Sequence, residues 1–105
     1  MHIQVINFHL KDVTEADFRA HAEEVAPAFA EVPGLISKVW LANQSTNTYG
    51  GLYTWTNREA MEEYVKSDLF KAIATNPNLA GVRSIDFDVL EEPTSVTRGL
   101  AEVPA

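Results

Sequence analysis

The order of strand-like and helix-like patterns is the feature that most constrains the fold of this chain. Apolar runs rich in β-branched and aromatic residues predict four strands, over residues 2–9, 35–43, 49–56 and 82–90. Helical patterns lie between the first and second strands and between the third and fourth. This β-α-β-β-α-β order predicts a ferredoxin-like α+β fold, an antiparallel sheet with both helices on one face.

The two helices have recognisable starts and apolar faces. Thr14 offers a hydroxyl to cap the first helix, and Asn57 offers an amide oxygen to cap the second. We expect a break in the second helix near Ser67, and a kink or tightened last turns in the first helix at Pro27. The first helix is predicted to bury one stripe, made of Phe18, Ala22, Val25, Ala26 and Phe29.

A sheet with both helices on one side leaves its other face uncovered. Alternation places Lys38, Trp40, Tyr53 and Trp55 on one side of the central hairpin, and Val39, Leu41 and Leu52 on the other. We assign the set with Lys38 and Trp40 to the helix-free face. An exposed apolar patch marks an association surface. The sequence therefore predicts a homodimer in which two such faces pack together and enclose a cavity.

Length and composition define the domain. A chain of 105 residues is expected to form one domain over residues 1–93, followed by a C-terminal tail over residues 94–105. The tail has no amphipathic period, so it either wraps a partner subunit or stays loose. A chain this short buries a modest share of its surface alone, which also favours a dimer.

Charge and cysteine content exclude several classes of function. The net charge of −7 opposes binding to nucleic acid or to an anionic membrane, because both need clustered Lys and Arg. The absence of cysteine removes disulfides and thiolate chemistry. No apolar run is long enough to span a bilayer. These features predict a cytoplasmic protein whose partners are small molecules or protein.

Several runs resemble a known family. They are Lys38-Val39-Trp40, Gly50-Gly51-Leu52-Tyr53, Trp55-Thr56, Phe87-Asp88-Val89 and Glu92-Pro93. These runs are similar to the YdhR monooxygenase family, and the resemblance covers residues 33–97. It implies a dimeric α+β barrel related to the antibiotic-biosynthesis monooxygenases, which oxidise polycyclic phenols without a metal or flavin. It implies no cofactor.

A cofactor-free oxygenase needs apolar walls and a few proton carriers. Trp40 is expected to stack on the substrate, with Trp55 as a further substrate-binding residue, unless both belong to the core. Lys38 is expected to hold a phenolate or to lose its charge by burial, unless it reaches the barrel rim or pairs with Asp86. Tyr53 is a candidate proton donor, although tyrosine is ordinary in a sheet.

His9 and Asn7 share one face of the first strand. His9 is the candidate general base because imidazole titrates near neutrality, and Asn7 is a candidate substrate contact near the cavity mouth. The alternative for His9 is a surface residue at a strand end. His2 and His21 are weaker candidates that are expected to face water.

No metal is predicted. The three histidines lack ligand spacing, and Asp86 and Asp88 are expected to lie on a solvated face. Haem-degrading relatives of the superfamily use a helix histidine, and the second helix here has none, so haem is not expected. Gly50 and Gly51 are expected to permit a bulge or close backbone approach.

These features together predict cofactor-independent oxidation of a small aromatic or polyketide-like molecule. His9, Tyr53 and Lys38 are the predicted catalytic residues. Two alternatives stay open: a non-catalytic binding protein with the same cavity, and a structural dimer with a filled interior.

Overall fold

The computed structural model describes residues 1–99 and has the predicted order of elements. The strands are β1 (His2–Leu10), β2 (Leu35–Asn43), β3 (Thr48–Trp55) and β4 (Leu79–Asp88). The helices are α1 (Glu15–Ala30), α2 (Arg58–Val65), α3 (Asp68–Ala74) and α4 (Glu91–Val96). All strand pairs are antiparallel, in the order β2-β3-β1-β4. The predicted ferredoxin-like α+β fold is confirmed.

Side-chain caps define where the helices begin. The Asp17 N–H donates to Thr14 Oγ1 at 3.1 Å, and the Thr14 N–H donates to Asp17 Oδ2 at 3.2 Å, which forms a capping box. Asn57 accepts the N–H three residues ahead at 2.8 Å. Ser67 lies just after α2, where the predicted second helix is interrupted, and it caps α3. These caps confirm the predicted helix starts and the predicted break.

The end of α1 agrees with the prediction for Pro27, and the segment after β4 goes beyond the predicted elements. α1 continues through Pro27 to Ala30 and ends in tightened turns, because the N–H groups of Glu31 and Val32 donate to the carbonyls three residues back at 3.3 and 3.0 Å. α4, which the sequence did not predict, crosses the expected domain boundary at residue 93. Pro93 is tolerated in the first turn of α4 because backbone N–H groups there have no partner within the helix. The part of the expected tail beyond residue 99 lies outside the described residues. Within residues 1–99, no helix has both the length and the apolar character needed to cross a bilayer.

The hydrophobic core lies between the sheet and the helices. Its buried members are Ile6, Phe8, Phe29, Tyr49, Tyr53, Trp55, Met61 and Tyr64. Gln4 is fully buried among them: its side-chain oxygen accepts the Trp55 indole N–H at 3.1 Å, and its amide donates to Ser84 Oγ at 2.9 Å. Within residues 1–99, no buried side-chain polar atom lacks a hydrogen-bond partner.

His2 closes one end of the core. Its ring is 3% exposed, with Nε2 at 2.7 Å from Asp86 Oδ2 and Nδ1 at 3.0 Å from Asp88 Oδ1. The expectation that His2 faces water was wrong, because the β1–β4 register pairs it with Asp88 and places Asp86 opposite Gln4, two residues along the same face.

The prediction of which residues lie on the helix-free face of the sheet was also wrong. Lys38, Trp40, Tyr53 and Trp55 do share one face, but it is the face that the helices cover. Phe29 of α1 packs edge-on against Trp40 at 5.3 Å between ring centres. The helix-free face instead presents a row across all four strands, formed by Val39, Leu52, Val5 and Ile85. A period of two groups residues by face but does not say which group the helices cover.

Candidate functional site

A cavity of about 250 Å³ lies between the sheet and helices α1 and α3. Its lining consists of Phe8, Phe18, His21, Ala22, Val25, Phe29, Lys38, Trp40, Gly50, Tyr53, Leu69, Ala72, Ile73, Asn76 and Leu79. Most of these side chains are apolar, and a few polar groups interrupt them. Small-molecule sites combine apolar walls with a few placed polar groups and measure about 300–1,000 Å³. This cavity suits a small ligand.

Among the lysines and arginines of residues 1–99, only Lys38 lines this cavity. Its Nζ lies 3.4 Å from the ring centre of Phe29, 3.5 Å from that of Trp40 and 4.6 Å from that of Tyr53. Among residues 1–99, it forms no ion pair within 4 Å. The amine is therefore surrounded by aromatic rings without an acidic partner.

Burial lowers the pKa of Lys38 from 10.5 to about 7. At about 1.4 kcal/mol per unit, such a shift represents roughly 5 kcal/mol against the charged form. The attraction of an ammonium to a desolvated ring returns about 2 kcal/mol. Desolvation is the larger effect, so both the neutral and the charged amine are accessible near neutral pH.

Tyr53 and Tyr64 form a buried pair of hydroxyls beside this amine. Their oxygens are 3.2 Å apart. Burial raises the pKa of Tyr53 well above its usual range, and burial raises the pKa of Tyr64 to about 12. Both hydroxyls therefore stay protonated at neutral pH. Tyr53 lines the cavity as a neutral hydrogen-bonding group and not as a base.

Two glycines of β3 make room for the site. A Cβ on Gly51 would lie 2.9 Å from Lys38 Cε and 3.0 Å from Tyr53 Cε1. A Cβ on Gly50, where φ is +155°, would lie 1.8 Å from the backbone oxygen of Ile6. The predicted close backbone approach is confirmed at Gly50. At Gly51 the missing side chain leaves the space that the Lys38 stem occupies.

His21 and Asn76 mark the opening of the cavity. Both also line a neighbouring pocket of about 180 Å³ near the start of α1. His21 is exposed, as expected from the sequence, but it also lines the cavity, which was not expected. Its position three residues after Phe18 and four before Val25 places it on the apolar stripe of α1, and this spacing is the signal that could have identified it.

Asn7 and His9 lie elsewhere. They line a separate cavity of about 280 Å³, together with Arg83 and residues of the helix-free row. His9 is exposed, and its Nδ1–H donates to the Asn47 carbonyl at 2.8 Å. The structure does not bring these two residues to Lys38, because they belong to the opposite side of β1 and to the strand end beyond its register shift.

Trp55 and Asp86 are also apart from the cavity. Trp55 is fully buried, and its indole N–H is used by Gln4, so the structure places it in the packed core. Asp86 binds His2 and does not pair with Lys38. Within residues 1–99, no group of three or more His, Cys, Asp or Glu side chains is arranged to hold a metal ion.

Solved structures with the same fold include the following three proteins. A putative antibiotic biosynthesis monooxygenase from Deinococcus radiodurans superposes with a TM-score of 0.71 at 17% identity, over 87% of this chain and 94% of that one. SnoaB, a cofactor-independent oxygenase from Streptomyces nogalater, gives 0.66 at 21% identity, over 86% and 94%. The heme-degrader MhuD from Mycobacterium tuberculosis, with two hemes in its active site, gives 0.70 at 17%, over 88% and 98%.

Sequence comparison identifies the family. No curated protein matches the chain. The family model described as "Putative mono-oxygenase ydhR" matches residues 3–100, which is nearly the whole chain. The structural likenesses, all at low identity, agree with it in fold. The chain belongs to the ydhR family.

Proposed function

We propose that this protein is a cofactor-independent monooxygenase that oxidises a small aromatic or polyketide-like molecule in the cavity beneath α1 and α3. The observation that supports this most is the Lys38 amine, which has no acidic partner within residues 1–99 and lies among the rings of Phe29, Trp40 and Tyr53. The fold shared with SnoaB, a cofactor-independent oxygenase, supports the same class of reaction.

Lys38 acts first as a base and then as a counter-ion. The neutral amine removes a proton from a phenol or from an activated CH₂ group of the substrate. The resulting ammonium holds the substrate anion, and their attraction is strong because the apolar walls exclude water. The aromatic rings of Phe29 and Trp40 provide surfaces for a planar substrate.

The electron-rich anion then reacts with dioxygen. One-electron transfer gives a substrate radical and superoxide, which combine at carbon to form a peroxide. Loss of water from the peroxide converts the CH₂ group to a carbonyl. One oxygen atom enters the product and the other leaves as water, so no external reductant is required. Tyr53, whose hydroxyl stays protonated, donates a hydrogen bond to a substrate oxygen.

We propose further that two subunits associate through the helix-free face. Val39, Ile85 and Phe87 on this face are 52%, 48% and 54% exposed, and side chains of this size in one patch favour a partner surface. Because the proposed site lies under the helices, each subunit has a complete site of its own. A cytoplasmic location agrees with a chain that has no cysteine.

Oxygen uptake by an anthrone tests the reaction. We expect uptake with a hydroxylated anthrone in air without added metal or flavin, and its loss in Lys38→Met, which keeps the length of the side chain but has no amine. Lys66→Met is the control because Lys66 is exposed on the far end of α2. No uptake together with a ligand-induced rise in melting temperature would support a binding protein and overturn the enzyme.

A further inference from the structure

The amine of Lys38 has the surroundings of a nucleophile as well as those of a base. Its nitrogen contacts ring faces and has no carboxylate partner in residues 1–99, yet it lines an open cavity. We propose that Lys38 forms a reversible imine with small aromatic aldehydes that enter this cavity. This activity goes beyond the proposed oxidation because it uses no oxygen and changes no oxidation state.

The reaction balances without any co-reactant. The nitrogen lone pair attacks the carbonyl carbon, and a proton moves from nitrogen to oxygen to give a carbinolamine. The hydroxyl then leaves as water, and a C=N bond replaces the C=O bond. Water adds back in the reverse reaction. The amine must be neutral to attack, and burial of Lys38 supplies this form near neutral pH.

The side chains around Lys38 offer a hydrogen-bond donor for the carbonyl oxygen of an aromatic aldehyde and apolar faces for its ring. The Tyr53 ring centre is 4.6 Å from Nζ, and its protonated hydroxyl is a donor for the carbonyl oxygen. The rings of Phe29 and Trp40 offer faces for a conjugated ring next to the new C=N bond. Released water can leave where His21 and Asn76 line the opening. The volume of about 250 Å³ selects compact aldehydes over long ones.

The other lysines provide an internal comparison. Lys11, Lys66 and Lys71 are exposed. An amine in water titrates near 10.4, so only about one in 2,500 is neutral at pH 7, whereas an amine with a pKa near 7 is about half neutral. Even after allowing for lower nucleophilicity and restricted access, Lys38 is expected to react at least about tenfold faster than the exposed amines at this pH.

Reductive trapping tests the proposal. The full chain is incubated at pH 7 with benzaldehyde and cyanoborohydride, and the modified lysine is located by peptide mass mapping. We expect one benzyl group on Lys38 before any on Lys11, Lys66 or Lys71, no early lysine adduct in Lys38→Arg, and an unchanged Lys38 adduct in Lys66→Arg. Equal labelling of all lysines, or no labelling of Lys38, would overturn the proposal.

A second measurement uses only the wild-type chain, so it does not depend on whether Lys38→Arg folds. In the wild-type chain, the ratio of label on Lys38 to label on the other lysines in the same reaction should fall as the pH is raised from about 7 toward about 10, because amines in water gain their neutral form only over that range, whereas Lys38 is already about half neutral at pH 7. Parallel pH profiles for all lysines would contradict the proposal. Failure of the oxygen-uptake assay leaves this test unaffected, and failure of labelling with oxygen uptake intact rejects the imine alone.

Discussion

Lys38 lies directly opposite Tyr53 in the β2–β3 register, with its Nζ 4.6 Å from the centre of the phenol ring. The same row continues through Gln4 on β1 to Asp86 on β4. Two strands therefore separate the amine from this carboxylate. The strand order β2-β3-β1-β4 keeps Lys38 apart from Asp86, and within residues 1–99 the amine has no counter-ion.

Replacing Lys38 by Met should stabilise the fold, most strongly at low pH. Below pH 7 the folded chain must hold a buried ammonium, and between about pH 7 and 10.5 only the unfolded chain keeps this proton. The wild-type free energy of unfolding therefore rises across this window, and the advantage of Lys38→Met disappears. We expect a gain of about 3 kcal/mol at pH 6, the desolvation cost less the ring attraction.

Urea unfolding at pH 6 and pH 10 measures this difference. Lys66→Met, at an exposed position, should change stability by less than about 0.5 kcal/mol at either pH. An equal gain for Lys38→Met at both pH values would show that the folded and unfolded amines titrate alike.

The pH dependence of oxidation should follow the protonation of the Lys38 amine. Only neutral Lys38 can remove a substrate proton, so kcat/KM should rise as pH increases through about 7 and then level off. Oxygen uptake across pH 5.5–9 with one anthrone measures the profile against the uncatalysed rate. A rate that falls through this range would reject Lys38 as the base.

The hydroxyls of Tyr53 and Tyr64 should behave as a coupled pair. Either single change to Phe leaves the other hydroxyl buried without this partner, at a cost of about 1–3 kcal/mol. The double change should cost less than the sum of the two singles by at least about 0.5 kcal/mol. Thermal or urea unfolding of the four proteins completes the cycle, and strict additivity would show that the hydroxyls do not interact.

Gly50→Ala should be far more harmful than Gly81→Ala. At Gly50 the new methyl would meet the Ile6 carbonyl oxygen at 1.8 Å, so neighbouring strands must separate, at a cost of about 3 kcal/mol or more. At Gly81, where φ is +64°, the nearest atom is 3.6 Å away and the cost is only the backbone strain of about 1–2 kcal/mol. Comparable melting temperatures for the two variants would contradict the close approach.

A charge on the helix-free face should separate the proposed dimer. Ile85→Glu places a carboxylate in the row that contains Val39, Leu52 and Val5, and burying it against a partner would be costly. Sedimentation should report a folded monomer. Val96→Glu, at an 80% exposed residue of α4, should leave the dimer intact. Wild-type chain that sediments as a monomer would reject the association itself.

The sequence was sufficient for the four strands, for the helices between them and for their order, but not for α4 or for the orientation of the sheet. Periodicity correctly grouped Lys38 with Trp40, and Val39 with Leu41. Both groups are largely apolar, so hydrophobicity alone could not select the covered face. A physical signal was present: tyrosine hydroxyls and indole N–H groups need buried partners, and Gln4 on β1 lies in the same row as Tyr53.

The site itself depends on contacts between distant segments. Lys38 and Tyr53, which were candidates from the sequence, line the cavity, whereas Phe29 and His21 of α1 join its lining only because the helix lies over the sheet. His9 and Asn7 were misplaced near the same site for a related reason. One strand presents residues to two faces, and Asn7 and His9 alternate with the buried Gln4, Ile6 and Phe8 of β1.

Because the two indoles are buried to different degrees, tryptophan fluorescence can report ligand binding and unfolding separately. Trp55 is fully buried and stacks on Tyr53 with rings 2° from parallel, while Trp40 lines the cavity. Fluorescence from Trp40 should thus respond to an occupant, whereas emission from Trp55 should follow only the integrity of the fold. In Trp40→Phe, the remaining fluorescence comes from Trp55 and reports unfolding alone. Subtracting its emission spectrum from that of the wild-type chain gives the emission of Trp40, which reports ligand binding.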